Sequence, residues 1–502
     1  MFVVLQYTLF ENIPTQIINQ AIIANISQEE KVISKDRKQS SLFGDNWIYK
    51  NLLEKFPDHP LIKLRPLIDK ILTEIADNIE AYYRKDFGRP SYPVSVIFKM
   101  LLLEYLYNLS DVAVSQSVCC NFLFRWFCGL DILDDVPDDT TLVKFRKRLG
   151  EQGFQEVFES FIIEAKKLGY GRGKLRIIDA THVLSFSRGL GAVGLLKDGV
   201  KRIVKRITDK AVVLKQSTKQ KILKTIERKQ IAVAEVKKIV KRLVKEIDNK
   251  VDVTTQKIIN QVQSVIKNGK KLGSLVDTDA RWGYKSKDFP FFGYKVHLAC
   301  DESGFVTNLE VLSGEQNEGN GIERLIENEP KQEPAIKLEG VCADALYDSA
   351  ENREYLKSAG IKPHIPSRTK GSKIDKFTVE GEVVRCVADK CSIGRIEQER
   401  GHLYYFSTKD CRGCKHYDDC VSPNEIRKKV YLSDCKALRE EIDKERLGIR
   451  KLIERLFGWA KRWLGLTRAR YCGIGKVIIQ AILTFLAIDL KTMIRGPCLA
   501  KA

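Results

Sequence analysis

Residues 175–179 have the sequence LRIID, a short apolar and β-branched run that ends in an aspartate. This pattern predicts a buried strand with Asp179 at its end. Gly340 to Ala343 is a second run of this kind, and Asp344 follows it. The end of a strand favours chemistry, because the sheet fixes the backbone while the side chain projects from its edge. Asp179 and Asp344 are therefore candidate functional residues.

The sequence around these two runs predicts the rest of a sheet. Tyr294 to Cys300 and Phe305 to Leu312 are strand-like, and residues 301–304 (DESG) predict a hairpin turn between them. Gly321 to Glu327 is helix-like and Ser349 opens a helix that ends at Ser358, before a further strand at Ile361 to Ile365. Strands alternating with helices in this order predict a mixed α/β sheet flanked by helices.

The sequence before the sheet has helical spacing from Trp47 to Leu168. A strong turn and N-cap at residues 137–141 (PDDTT) is followed by a basic helix, Leu142 to Leu149, which carries Lys144 and Arg146. Helices joined by short turns, with a basic helix last, suit a small DNA-binding bundle, and these two cations are its candidate DNA contacts. An ordinary helical domain fits the pattern equally well.

Charge points to the class of partner. The 502 residues include 85 Lys and Arg against 65 Asp and Glu, a net charge of +20, while 44% are hydrophobic. The chain can therefore bury a core, and its length suggests two to four domains. The excess charge favours a polyanion, with nucleic acid first and an anionic membrane surface second.

A membrane location is disfavoured by the apolar segments. The longest, Val477 to Ile488, is shorter than the ~20 residues a spanning helix needs and contains Gln480 and Thr484, so it predicts a buried helix. Met1 to Leu9 lacks the features of a signal peptide. Thirteen cysteines without a secretion signal predict a reducing cytoplasm, with thiols that are buried or bound to metal.

A basic insertion interrupts the sheet over residues 184–276. Residues 197–271 hold 22 Lys and Arg against 7 Asp and Glu, which is +15 of the total charge. No aromatic residue occurs between Phe186 and Trp282. The pattern predicts long basic helices that pack on themselves or on DNA. Two interpretations remain open: binding to the DNA backbone, or a solvated arm that acts only as a spacer.

A second insertion, residues 372–435, is rich in cysteine. Cys411 and Cys414 form a CxxC pair and Cys420 follows, which suits a structural zinc site of four soft ligands. Cys386 is the best fourth ligand. The alternative is a set of reduced thiols without metal. Rival ligands are Cys391, His402 and His416.

A third acid would complete a two-metal site. Glu454 is the candidate, on a helix predicted over Lys444 to Trp463. Arg450 and Lys461 lie four residues before and seven after it, so the three share one helical face. That face would present a carboxylate between two cations, which suits metal and phosphate. An amphipathic helix with surface ion pairs is the alternative.

Several segments together resemble the motifs of one family. The segments are Asp179 to His182, Asp277 to Tyr284, Gly293 to His297, Ala343 to Ser349, Arg450-x3-Glu454-x6-Lys461, Leu464 to Tyr471, and, upstream, Pro93 to Leu149. In this pattern the chain resembles the DDE transposases of bacterial insertion sequences, which have an RNase H-like catalytic fold. The cysteine segment resembles one found in a subgroup of these enzymes. Leu447 departs from the family, since it stands where the Tyr-Arg-Glu-Lys signature has tyrosine.

The resemblance implies a chemistry for these residues. Asp179, Asp344 and Glu454 would hold two Mg²⁺ or Mn²⁺ ions ~3.5–4 Å apart, which cleave the ends of the element and join the 3′-hydroxyl to target DNA. Asp179 would bridge both ions. The expected partner is double-stranded DNA, bound by a homodimer or a larger assembly in the bacterial cytoplasm at the nucleoid, and not a membrane. Expected DNA contacts are Arg450, Lys461, Arg468, Arg470, Lys144 and Arg146.

Two alternatives remain beside strand transfer: an RNase H-like nuclease that only cuts, and a non-catalytic DNA-binding relative. The predicted division of the chain has six parts. These are an N-terminal segment (1–46), a helical DNA-binding domain (47–168), an RNase H-like core (169–183 and 277–371), the basic insertion (184–276), the cysteine-rich insertion (372–435) and helices that complete the core (436–496).

Overall fold

The structure is a computed structural model, and it describes most of the chain. The described residues are 45–83, 91–209, 216–228, 231–247, 251–268, 273–286, 288–332, 335–366, 377–380, 382–398, 401–433 and 444–494. The N-terminal segment predicted over 1–46 lies almost wholly outside them.

Six helices precede the sheet in the described part of the chain. Side chains cap several of them: Ser110 accepts a hydrogen bond from the Ala113 amide, and Asp138 accepts one of 2.7 Å from that of Thr141. The sixth helix bends at Gly150, whose φ of 63° is accessible to glycine. The helices are α1 (Asp45–Lys55), α2 (Pro60–Glu80), α3 (Val94–Leu106), α4 (Asp111–Cys120), α5 (Phe122–Cys128) and α6 (Asp139–Lys167).

A six-stranded mixed sheet follows, in the order β2-β3-β1-β5-β6, with β4 also paired to β3. The pairs that β3 makes with β1, β2 and β4 are antiparallel, whereas β1, β5 and β6 run parallel. The α/β class with an N-terminal helical region is thus confirmed. The strands are β1 (Leu175–Leu184), β2 (Arg281–Ser286), β3 (Phe289–Cys300), β4 (Val306–Ser313), β5 (Gly340–Cys342) and β6 (Lys362–His364).

The basic insertion between β1 and β2 contains four helices in its described residues. Their apolar faces bury one another in a hydrophobic cluster of their own. The predicted basic helices are present, and the described residues divide them into four helices of 18, 12, 15 and 16 residues. They are α7 (Ala192–Asp209), α8 (Gln216–Glu227), α9 (Val233–Ile247) and α10 (Val253–Asn268).

Two short helices flank the parallel strands, and a small subdomain follows them. Helix α11 (Ile322–Glu327) packs on β4, and α12 (Ala350–Ser358) connects β5 to β6. The cysteine-rich subdomain has a two-stranded and a three-stranded sheet around Val384, Tyr404 and Phe406. Its elements are β7 (Thr378–Glu380), β8 (Val383–Arg385), β9 (Gly394–Gln398), β10 (Gly401–Tyr405), α13 (Thr408–Arg412), α14 (Tyr417–Cys420) and β11 (Lys429–Ser433).

The last helices return to the core. The helix predicted over Lys444 to Trp463 is broken: α15 (Lys444–Gly448) ends at a glycine, and α16 (Lys451–Trp463) begins three residues later. The final helix of the described chain is α17 (Ile474–Ile494).

Helix α17 is long and apolar enough to cross a membrane, yet it lies in the protein core. It contacts α2, α3 and α6 on the helical side and β4 on the sheet side. Val477 to Ile488 is entirely buried, as predicted for a core helix. The N-terminal helices and the sheet therefore share one hydrophobic cluster.

Candidate active site

The register of the parallel strands brings the two aspartates together. Ile177 of β1 pairs with Cys342 of β5, and Asp179 and Asp344 each lie two residues further on. The Asp344 carboxylate accepts a hydrogen bond of 2.7 Å from the Leu346 amide and so caps a single 3₁₀ turn. The parallel pairing thus places the two acids on neighbouring strands. Asp344 follows the end of β5 as predicted, but Asp179 lies within β1 and not at its end, because pairing with β3 continues the strand to Leu184.

Arg450 links Asp344 to the third acid. Its guanidinium Nη2 lies 3.3 Å from Glu454 Oε1, in the first turn of α16, and its Nη1 lies 3.8 Å from Asp344 Oδ2. The break between α15 and α16 puts Arg450 just before the helix, from where it reaches both carboxylates. The structure therefore assembles the predicted set around one guanidinium.

Burial sets the protonation of Asp179. Desolvation raises its pKa to about 6, and the nearby carboxylates of Asp344 and Glu454 act in the same direction. Two groups oppose the shift: the Ala180 amide, which donates a 2.8 Å hydrogen bond to Asp179 Oδ1, and Arg450. Asp179, whose pKa two neighbouring carboxylates help to raise, therefore needs added positive charge to be ionised beside them.

The chemistry of the donors fits hard divalent cations. Carboxylate oxygens on three separate elements suit Mg²⁺ or Mn²⁺, which keep several waters as ligands. With the side chains in their present positions, however, no group of three or more His, Cys, Asp or Glu in the described ranges could hold a metal ion. Arg450 occupies the space between two of the acids, so its side chain would have to move for all three to share an ion.

A cationic cluster lies further along β1. The pKa of Lys461, on α16, is lowered to about 8, mainly by burial and also by the charge of nearby Lys285 of β2. Burial also lowers the pKa of His182 to about 4, helped by the charges of Lys461 and Lys285. His182 follows Asp179 by three residues on β1, which places it about 10 Å along the strand and on the opposite face of the sheet. Sequence analysis missed Lys285 because it did not predict β2.

The structure separates the predicted DNA contacts into two groups. Lys144 and Arg468 have exposed side chains, and Arg468 lies beside Leu184 at the end of β1. Arg146 is buried, with Nη1 3.1 Å from Glu104 and Nη2 2.6 Å from Asp111.

Arg470 is engaged by the same acid, with its Nη1 2.7 Å from Glu104 and its Nη2 2.8 Å from Asn108. The DNA contacts predicted for Arg146 and Arg470 therefore need correction. In this structure both guanidinium groups neutralise the buried Glu104 carboxylate: Arg146 joins α6 to α3 and α4, and Arg470 joins the segment between α16 and α17 to α3.

The predicted zinc ligands lie near one another, but with the side chains in their present positions no three of these described cysteines could hold a metal ion. Burial raises the pKa of the Cys420 thiol, and the nearby sulfurs of Cys411, Cys386 and Cys414 contribute. The amides of Lys428 and His416 lie 3.4 Å from the sulfurs of Cys411 and Cys414 and donate to them. Amide donors of this kind favour a thiolate.

The motif at Asp277 to Tyr284 has a structural role. The buried Asp277 carboxylate accepts hydrogen bonds from Tyr294, from Ser185 at 2.6 Å and from the Gly473 amide at 3.1 Å. Asp279 accepts from the Ile474 amide at 3.0 Å. These two acids therefore cap the start of α17 and fasten it to the ends of β1 and β3.

His297 packs beside the acidic site, against Tyr347 and Glu310. It is fully buried, its Nδ1 lies 2.8 Å from Glu310, and its ring stacks on Tyr347 with 5.6 Å between centroids. Tyr347 follows Asp344 by three residues, and the charges of Asp179 and Asp344 contribute to raising its phenol pKa. Glu310 and Tyr347 carried no signal in the sequence, because their roles depend on contacts across the sheet.

Two domain families match the chain. The transposase domain family DUF772 matches residues 50–148, and the transposase DDE domain family matches residues 241–490. The second match contains Asp344 and Glu454 and begins after Asp179.

Relatives agree with these matches. The chain is 35% identical over 89 residues to the transposase for insertion sequence element IS1106 of Neisseria meningitidis serogroup B, covering 18% of this chain and 28% of that protein. It is 26% identical over 133 residues to the uncharacterized protein ORF8 in the nfe locus of Rhizobium meliloti, covering 26% and 63%. The chain thus spans less than two thirds of each relative. The mixed sheet with its N-terminal helices is consistent with the RNase H-like fold of such enzymes, and the chain belongs to the DDE transposases of bacterial insertion sequences.

Proposed function

We propose that this protein binds the terminal inverted repeats of its insertion sequence, cleaves the ends, and joins the freed 3′-hydroxyl to target DNA. The observation that carries the proposal is the convergence of Asp179, Asp344 and Glu454 around Arg450. When bound, two divalent ions would neutralise the phosphate and activate first water and then the 3′-hydroxyl.

The chain's own groups have distinct parts in this chemistry. Asp179 gives up its proton, and its carboxylate, which lies near the other two acids, would hold both ions. Arg450 exchanges its contacts with Asp344 and Glu454 for a phosphate oxygen near the scissile bond, where a guanidinium can bind two oxygens at once. Lys461 binds the phosphate next to it.

We also propose a structural zinc ion at Cys386, Cys411, Cys414 and Cys420. The donation of two amides to the sulfurs and the proximity of all four cysteines support it. Two element ends must be held together for transposition, so we propose that a homodimer or larger assembly acts on DNA at the bacterial nucleoid.

Substitution of the acids tests the catalytic proposal. Asp179→Asn, Asp344→Asn and Glu454→Gln should each abolish end cleavage with Mg²⁺ and leave DNA binding unchanged. Glu354→Gln, at an exposed position on α12, is the matched control and should cleave normally. The substrate is duplex DNA from the boundary of the element, and the joined product is measured in the same reaction.

Each outcome separates the candidate functions. Normal cleavage by any one of the three variants would remove that residue from the catalytic set. Cleavage by the wild-type protein without any joined product would favour a nuclease that only cuts.

A further inference from the structure

The four helices of the basic insertion bury their apolar side chains against one another. On α7 the buried face is Val200, Ile203, Val204 and Ile207, and on α9 it includes Val236, Val240 and Leu243. Helices α7 and α9 pack together, and α10 packs on both. The apolar faces are thus satisfied inside the insertion, and the polar faces remain for a partner.

Those polar faces carry a dense positive charge. On α7, Arg202 and Arg206 have acidic partners, Asp198 at 2.7 Å and Asp252 at 3.6 Å. Helix α9 differs, because its exposed cations form no ion pair with the acidic side chains that the structure describes. They are Lys238, Lys241, Arg242 and Lys245. Four like charges within eight residues of one helix repel one another, and a polyanion would relieve that repulsion.

The insertion is rooted beside the active site. It leaves the sheet at the end of β1, where Ser185 bonds to Asp277 at 2.6 Å and the Leu190 amide donates to the Gly273 carbonyl at 2.7 Å. Five residues of strand separate Asp179 from Leu184, a distance of roughly 17 Å at ~3.3 Å per residue. The cluster of Lys461, Lys285 and His182 adjoins the same strand.

We propose that the exposed face of α9 binds the phosphate backbone of duplex DNA on one side of the scissile phosphate. This inference rests on the proposed function, which places that phosphate at Asp179. A rise of ~3.4 Å per base pair puts the root of the insertion roughly 5 base pairs from the cut. Helix α9 has 15 residues and is about 22 Å long, which covers roughly 6 base pairs more.

The contact is electrostatic and does not select sequence. Three of the four cations are lysines, which are point charges that match phosphates and not base edges. The insertion would therefore add affinity and fix the direction of the duplex, while the choice of element end lies elsewhere on the protein.

The test compares two matched double variants of the full chain. Lys238→Gln with Lys241→Gln removes two charges from α9, and Lys357→Gln with Lys362→Gln removes two exposed charges beside β6, at the opposite end of the strand order from β2. Binding to a 40-base-pair duplex of arbitrary sequence is measured against salt concentration. In the α9 variant, the slope of the log binding constant against log salt concentration should be shallower by roughly 2. Its affinity near 0.15 M salt should fall roughly 10–30-fold. The control should match the wild type.

A second arm places the contact. End substrates carry 15 base pairs on both sides of the cut, or only 4 on one side. The defect of the α9 variant should disappear when one particular side is trimmed. A wild-type salt slope in the α9 variant would overturn the proposal and leave the spacer interpretation, and a defect that survives trimming of either side would overturn its placement.

Failure of this inference is distinguishable from failure of the proposed function. The α9 variant should still cleave ends at saturating DNA, because it leaves the three acids intact. A wild-type protein that binds duplex but never cuts would contradict the proposed function, and the salt slopes of the two variants would still be comparable.

Discussion

At the scale of single residues, Asp179 shows a conflict between stability and catalysis. Its carboxyl group is largely removed from water and faces two other acids. Such a position suits a metal ligand but destabilises the ionised form in the metal-free protein. Active sites often retain strain of this kind, which function requires and the rest of the fold compensates.

Asp179→Asn should therefore stabilise the metal-free protein at pH 8 and have no effect at pH 4. The folded pKa, about 6, lies above the ordinary value of 3.8. The protonated Asp179 carboxyl group therefore adds its full contribution to the free energy of unfolding below pH 4. This contribution is lost as the pH rises through 6 and the group ionises. The gain at pH 8 is at most about 3 kcal/mol. Urea unfolding in EDTA at both pH values measures it.

The exposed variant Glu354→Gln serves as the control and should show no such dependence on pH. Equal unfolding midpoints of Asp179→Asn and the wild type at pH 8 would mean that the carboxylate is well solvated or neutralised.

The acids of the site could be predicted from the sequence, but the ion-pair partners of two arginines could not. Asp179 and Asp344 end apolar runs, and Glu454 lies four residues from Arg450, so local pattern suffices. Arg146 and Arg470 differ, because their partner Glu104 lies inside the apolar helix α3, more than 40 residues from the first and more than 300 from the second. Contacts over such separations have no signature in one sequence.

At the scale of elements, the break before α16 positions the site. The sequence predicted one helix from Lys444 to Trp463, yet Gly448 ends α15 and lets the chain turn. Glycine costs about 1 kcal/mol inside a helix relative to alanine, so it is a reasonable place for the interruption. In an unbroken helix, Arg450 would point along the surface towards Glu454 alone; the turn lets it also contact Asp344.

The cysteine-rich subdomain should contain about one zinc ion per chain. Cys414→Ser should lose it, because four soft ligands close a structural site. Cys391→Ser is the matched control and should keep the metal, since Cys391 is a rival ligand outside the proposed set. Metal analysis of the purified proteins measures both. A folded and active protein without zinc would disprove the site. Loss of zinc in the control would show that Cys391 is a ligand in place of one of the four proposed cysteines.

A buried ionic cluster fixes the start of β1. Glu329 accepts hydrogen bonds of 2.7 Å from both Arg176 Nε and Nη2 and one of 2.8 Å from Lys166 at the end of α6. Burial would raise the pKa of Glu329, but the two cations outweigh it and hold the pKa at about 2. The acid therefore stabilises the fold above pH 4.5, and this contribution is lost as the pH falls towards 2.

Glu329→Gln should accordingly lower the free energy of unfolding by about 3–5 kcal/mol at pH 7, because it leaves two buried cations without their partner. The difference from the wild type should shrink between pH 4.5 and 2. Urea unfolding at several pH values measures it. Glu339→Gln breaks an exposed pair with Lys174 and should cost far less, because solvent screens that pair. A similar cost for both variants would show that burial of the cluster does not matter.

At the scale of the whole molecule, the fold class could be predicted from the sequence, but the packing of the N-terminal helices and the sheet around one shared helix could not. Alternating strand and helix patterns predicted the sheet. Strand β1 begins at Leu175 as predicted but continues five residues beyond Asp179, to Leu184. Strand β2 was missed although Trp282 and Tyr284 alternate with other residues, because the run, RWGYKS, is short, contains a glycine and gains its structure from pairing with β3. Helix α17 was recognised as buried, but only the structure shows that it packs on both the helices and the sheet.

Excision of the basic insertion should leave a folded catalytic core. The Leu190 amide and the Gly273 carbonyl are hydrogen-bonded, so a short Gly-Ser link can replace residues 191–272. The insertion has its own apolar cluster, so removing it exposes little of the main core. The shortened protein should unfold cooperatively with a midpoint close to that of the full chain, and cleave ends at saturating DNA with reduced affinity. Circular dichroism and end cleavage measure this; an unfolded product would show that the insertion stabilises the sheet.

The place of α17 in the order of synthesis has a consequence for the cell. Ribosomes make Ile474–Ile494 after every other helix and strand described above, yet α2, α3, α6 and β4 all pack against it. Until this helix emerges, a nascent chain therefore exposes the apolar surfaces of α2, α3, α6 and β4 that pack against it, and a nonsense mutation upstream leaves those surfaces exposed permanently. Truncated copies should be degraded or aggregate instead of persisting as inhibitory fragments, so a decayed gene of this type would fall silent without poisoning an intact one beside it.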